Sequence, residues 1–144
     1  MSELTIAELS KKMAKLDFAM FATMALDGGI TARPMSNNGD VEYTGDSYFF
    51  AYADSRKVTE IRSNGYVGLS YTGAVGMLGG PPLFVQIEGS ASLIDDKAAF
   101  ADHWTKDLDR YFPDGIDTPG VTMIKVHADS VRYWDGSDEG EIRL

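Results

Sequence analysis

The sequence predicts a mainly β domain, an antiparallel barrel of about six strands with three short helices tucked between them. Three observations carry this expectation. Strand-like segments recur along the chain; Asp27-Gly28-Gly29 separates two of them as a hairpin turn would; and Gly89 interrupts a long strand pattern where a bulge or bend is expected.

Taken in order, Leu4, Ile6, Leu9, Met13 and Leu16 recur at helical spacings, and Thr5-Ile6-Ala7-Glu8 has the form of a capping box, so an amphipathic helix opens the chain. Phe18 to Leu26 and Ile30 to Met35 read as the two strands of the hairpin. Asn37-Asn38-Gly39-Asp40 and Gly45-Asp46 punctuate the next stretch, before the aromatic strand Ser47-Tyr48-Phe49-Phe50-Ala51-Tyr52. Asp54 and Ser55 are good N-caps for a short helix carrying Val58 and Ile61 and ending at Asn64-Gly65.

Tyr66 to Tyr71 alternates like a strand, and Gly73, Gly76, Gly79, Gly80 and Pro81-Pro82 make a loop. Leu83 to Leu93 is the long strand interrupted at Gly89. Asp95 to Trp104 opens with two acids and spaces its apolar residues as a helix does. Pro113, Gly115, Pro119 and Gly120 mark a connection to the last strand, Val121 to Trp134, and Asp135 to Leu144 reads as an acidic tail. No repeat or low-complexity tract breaks the chain, and its 144 residues read as one domain.

Composition narrows the function. Hydrophobic residues make up 44% and charged residues 24%, as in an ordinary globule, and the absence of Cys removes disulfides and Cys-ligated metals. A net charge of −9 repels phosphate backbones and anionic lipid, which argues against nucleic-acid and membrane partners. The start of the chain lacks the apolar stretch of a secretory signal, and Phe18 to Leu26 is too short to cross a bilayer, so a cytoplasmic protein is expected.

The two histidines, His103 and His127, lie in different elements without ligand spacing, which sets aside a metal site. Neither follows a nucleophile elbow, which sets aside a hydrolytic triad. Asp95-Asp96 and Asp138-Glu139 read as a helix start and a solvated tail.

The informative cluster is Asp54-Ser55-Arg56-Lys57 at a strand-to-helix junction. Unpaired N–H groups, the positive end of the helix dipole and two cations there suit a phosphate, although a capped helix with two solvated cations has the same pattern. Arg33, inside a strand with no acid nearby in sequence, needs a partner: either an acidic neighbour or a bound phosphate or flavin edge. Met35 and Pro34 beside it have packing as one reading, and Pro34 in a strand points to an edge or a bulge and so to an opening. Most of the aromatics at strand ends, Phe49, Phe50, Tyr52, Tyr71 and Tyr133, are expected in the core, whereas Trp134, just before Asp135-Gly136, is placed to project from the barrel.

These residues together resemble the FMN-binding split-barrel superfamily, in the general stress protein branch related to pyridoxamine 5′-phosphate oxidase. The resemblance runs from about Leu16 to Gly136. It rests on Thr31-Ala32-Arg33-Pro34-Met35, Phe49-Phe50-Ala51, Ser55-Arg56-Lys57-Val58 with Glu60-Ile61, Tyr66 to Tyr71, Ile87-Glu88-Gly89-Ser90-Ala91 and Tyr133-Trp134-Asp135.

The resemblance implies a six-stranded antiparallel split barrel of Greek-key type, acting as a homodimer with FMN at the interface. Arg33, Lys57 and Arg56 would hold the ribityl phosphate, with Ser55 helping at the helix start. Phe50 and Ala51 would meet the flavin through their backbone, Gln86 would neighbour the ring, and Trp134 would approach from the second subunit. Vitamin B6 oxidases continue past this Trp with a basic Arg-Leu-His-Asp-Arg segment; here Ser137 to Leu144 is acidic and Arg143 is out of register, which argues against oxidation of pyridoxamine phosphate.

The expected function is flavin-mediated hydride or electron transfer between small-molecule donors and acceptors, the protein supplying binding and orientation. A flavin-binding stress module without turnover is the alternative, and a third reading keeps the barrel with deazaflavin or haem. Two histidines without an evident pocket disfavour haem.

Overall fold

The computed structural model describes residues 4–37, 42–75 and 78–144. It contains helices α1 (Ile6–Met13), α2 (Arg56–Ser63) and α3 (Lys97–His103), and strands β1 (Phe18–Met24), β2 (Ile30–Ser36), β3 (Asp46–Tyr52), β4 (Tyr66–Thr72), β5 (Leu83–Ile94), β6 (Val121–Asp135) and β7 (Asp138–Arg143). Two 3₁₀ turns, Lys106–Arg110 and Gly115–Asp117, follow α3.

All pairings are antiparallel, in the order β2-β1-β4-β5-β6-β3. The fifteen-residue β6 carries β3 on its first half and β7 on its second. The strand order pairs β2 only with β1 and β3 only with β6, so the sheet is open between β2 and β3. Its concave side holds the main core, with Phe21, Leu69, Ile87, Ile124 and Val131 fully buried beside Leu9 of α1 and Val58 of α2. A second core lies outside β3, where Phe50 and Met123 meet Phe100 and Phe112 under the segment running from α3 through the 3₁₀ turns.

Local chemistry explains the elements. Thr5 Oγ1 accepts from Glu8 N–H (3.1 Å) and the Glu8 carboxylate from Thr5 N–H (3.2 Å), so the capping box forms. The hairpin turn closes with Ala25 N–H on Gly29 O (2.8 Å), and Asp27 Oδ1 accepts from Gly29 N–H (3.0 Å). Asp96 caps α3 by accepting from Ala98 N–H (3.1 Å). The bulge expected at Gly89 falls on its partner strand: Glu88 pairs with Ser130 and Gly89 with Ala128, leaving Asp129 of β6 as the extra residue. A Cβ at Gly89 would run into the carbonyl of His127, so only glycine fits beside that bulge.

Two expectations need correction. Among the described residues there are seven strands rather than six, and the acidic tail is the seventh. Its acids alternate with Gly140 and Ile142, Ile142 packs on the main core, and Gly140 covers Tyr133, where a Cβ would strike the ring. Packing of the inward residues outweighs the poor strand propensity of Asp and Glu. Asn38-Gly39-Asp40 of the expected turn and Gly76 of the expected loop lie outside the described residues. Among the described residues no helix is long and apolar enough to cross a membrane.

Candidate functional site: a cleft at the open seam of the barrel

The gap between β2 and β3 is a cleft of about 710 Å³, in the size range of sites for small organic ligands. Pro34, Met35, Ser36 and Asn37 form one side, Tyr48 to Tyr52 the other, and Thr105 to Phe112 the outer wall. Because β2 and β3 are not paired with each other, main-chain groups of both edges face this space. A strand edge that carries no neighbour offers hydrogen bonds to a flat heterocycle as readily as to another strand.

One end of the cleft is the start of α2, where Ser55 and Lys57 line it. Ser55 is the N-cap, yet its hydroxyl makes no capping bond; Ser55 Oγ is buried and has no hydrogen-bond partner among the described residues. A buried hydroxyl without a partner costs free energy unless something else supplies one. Burial, and after it the charge of Arg33, lowers the pKa of the Lys57 ammonium below the ordinary lysine value. An unsatisfied hydroxyl, a disfavoured ammonium and the N–H groups of a helix start thus converge, and an anion relieves all three. These residues fit a phosphate.

Arg33 and Arg56 are placed differently. Arg33 lies on the concave side of β2 and donates from Nη1 to Phe21 O (3.1 Å) and Thr23 Oγ1 (2.8 Å), and from Nη2 to Thr31 Oγ1 (2.8 Å) and Glu60 Oε1 (3.2 Å). Arg56 Nε bonds Glu60 Oε2 (3.2 Å) across one turn of α2. Glu60 is thus a buried carboxylate, 2% exposed, with one arginine on each oxygen. Hydrogen bonds from Thr23, then Thr31 and Arg56, outweigh burial and lower its pKa to about 2. Arg56 itself borders a separate depression with Leu26, Asp27 and Thr59.

Of the residues singled out from sequence, Pro34, Met35, Phe50, Ala51, Ser55 and Lys57 therefore line one cleft. The Phe50 side chain packs in the second core, against Phe100 and Phe112. Gln86 and Trp134 lie on the convex face of the sheet, half-buried, Gln86 opposite Arg132 and Trp134 opposite Phe84. Arg132 sits over the Trp134 ring at 5.2 Å.

Sequence reasoning missed two features. Glu60 was visible only as part of a motif, although its spacing from Arg56 is that of a helical ion pair. His103, set aside as a metal ligand, stacks on Tyr48 at 3.6 Å and lines the cleft. Nothing local in the sequence joins residues 48 and 103. His127 is an exposed residue of β6, hydrogen-bonded to Asp46 (2.8 Å).

The description of proteins like pyridoxamine 5′-phosphate oxidase matches residues 5–143. The chain belongs to the pyridoxamine 5′-phosphate oxidase-like family. Among solved structures, a Clostridium acetobutylicum protein related to general stress protein 26 is 18% identical, with 96% of this chain and 94% of that one covered and a TM-score of 0.77. General stress protein 26 of Bacillus anthracis is 21% identical, with coverage of 94% and 98% and a TM-score of 0.72. A haem-binding protein of Mycobacterium smegmatis is 13% identical, with 99% of this chain and 60% of that one covered and a TM-score of 0.75. At these identities the three share the fold with this family member. No curated protein matches the chain.

Proposed function

We propose that the protein is a homodimeric, FMN-binding oxidoreductase of the general stress type, distinct from the true pyridoxamine phosphate oxidases. The single observation that carries this reading is the buried, unpartnered Ser55 hydroxyl beside Lys57 at one end of an open-seam cleft. Ser55, Lys57 and the first N–H groups of α2 would hold the phosphate, Arg33 and Arg56 adding charge from behind. The main chain of Phe50 and Ala51 and the Pro34-Met35 edge would orient the ring. Bound flavin supplies hydride and electron transfer, and no side chain of this chain need act as acid or base.

The dimer is supported by the convex face of the sheet. Phe18 (56% exposed), Met20 (46%) and Phe84 (42%) lie there with Trp134, an apolar surface of the kind that seeks a partner. Phe18 also borders the cleft, so a subunit seated on this face reaches the cofactor end. Gln86 and Trp134 would then act across the interface.

An absorption spectrum of the purified protein tests the cofactor first: flavin bands support the reading, a Soret band supports haem, and neither after titration with FMN removes it. Reduction by NADH or NADPH and reoxidation by an acceptor separates an oxidoreductase from a flavin-binding module.

A further inference from the structure

Arg33 has no terminal hydrogen to spare. Its two Nη groups carry four N–H bonds, and Phe21 O, Thr23, Thr31 and Glu60 account for all four. A phosphate can reach Arg33 through Nε–H alone or by taking an Nη hydrogen from one of these acceptors. The contact to Glu60, at 3.2 Å, is the longest of the four. When it breaks, Glu60 Oε1 keeps the hydroxyls of Thr23 (2.8 Å) and Thr31 (2.9 Å). On the other oxygen, Arg56 is 71% exposed and held by Nε, so a change of rotamer releases it.

We infer that Glu60 is an internal counter-anion of the phosphate end: it holds Arg33 and Arg56 while the cleft is empty and yields them to an incoming phosphate monoester. This rests on the reading that the Ser55–Lys57 end binds the FMN phosphate. A carboxylate that competes for the cations lowers affinity for the cofactor and spares the empty protein two unpaired arginines. Glu60 therefore acts on phosphate binding through the arginines, as a positioning residue, and sets how readily the cofactor exchanges.

The test compares FMN with riboflavin, which lacks the phosphate, by fluorescence titration of the wild-type protein and Glu60→Gln. The amide of Glu60→Gln still accepts from Thr23 and Thr31 but loses its charge. The expected result is a ratio of FMN to riboflavin affinity raised about tenfold, the scale of one charge-assisted hydrogen bond no longer surrendered. A general loosening of the fold would move both ligands together, so an unchanged or lowered ratio overturns the inference. Should Glu60→Gln not fold, a crystal structure of the wild-type protein with FMN decides: Arg33 Nη2 on the phosphate and off Glu60 supports it, and all four Arg33 bonds intact overturns it. Wild-type protein that binds neither ligand overturns the flavin reading itself, and this inference with it.

Discussion

At the scale of single residues, the proposed phosphate end would rest on Lys57 more than on either arginine, because Lys57 lines the cleft while both arginines face Glu60. Lys57→Ala combined with Arg56→Ala is expected to weaken FMN binding by about 2–4 kcal/mol, the scale of lost charge-assisted hydrogen bonds, measured by titration. Lys57 also fixes a pH dependence. Burial lowers its pKa in the free protein, whereas a bound dianion favours the ammonium, so binding takes up a proton in alkaline solution. Affinity should fall as pH rises through the lowered lysine value; Lys57→Arg, always charged, should abolish the fall. The sequence left Arg33 with two kinds of partner, an acid, or a phosphate or flavin edge. The acid is Glu60, 27 residues away in the chain, and a partner so distant leaves no mark in local spacing.

At the scale of elements, the strands and helices were legible wherever the cue is local. The capping box of α1 and the Asp27-Gly28-Gly29 turn act within a few residues and formed as read, while the two acids read as opening α3 stand just ahead of it, Asp96 as its cap. The tail was illegible for the opposite reason: Asp138 to Arg143 has little strand propensity and becomes β7 only because Tyr133 and the main core receive Gly140 and Ile142. The bulge shows both cases at once, since Gly89 announced it while the extra residue, Asp129, lies on the other strand. Gly89→Ala puts a methyl group against the His127 main chain, which cannot turn aside. It should cost about 1–3 kcal/mol in thermal or denaturant unfolding, as overpacking does, while Gly80→Ala in the open loop should cost far less.

At the scale of the whole molecule, six of the ten residues singled out from sequence meet in one cleft because barrel topology brings β2, β3 and α2 to a common seam. The other side of the sheet was not legible as a surface, since Phe18, Met20, Phe84 and Trp134 belong to β1, β5 and β6, which only pairing through β4 brings onto one face. If that face joins two subunits, Phe84→Glu with Met20→Lys should convert a dimer of about twice 15.7 kDa to monomer in analytical ultracentrifugation, and flavin should be lost with it. A double variant that stays dimeric would move the interface elsewhere.

The placing of β3 beside β6 has a consequence for how the chain acquires its structure. His127 meets Asp46 across 81 positions, and the sixth strand must be made before the third has anywhere to zip. Closing so long a loop precedes any return from the contacts it permits, so refolding should take on the order of milliseconds to seconds. During that interval the edge of β3 waits uncovered, which makes Asp46–Tyr52 the segment most exposed to wrongful association as the polypeptide leaves the ribosome.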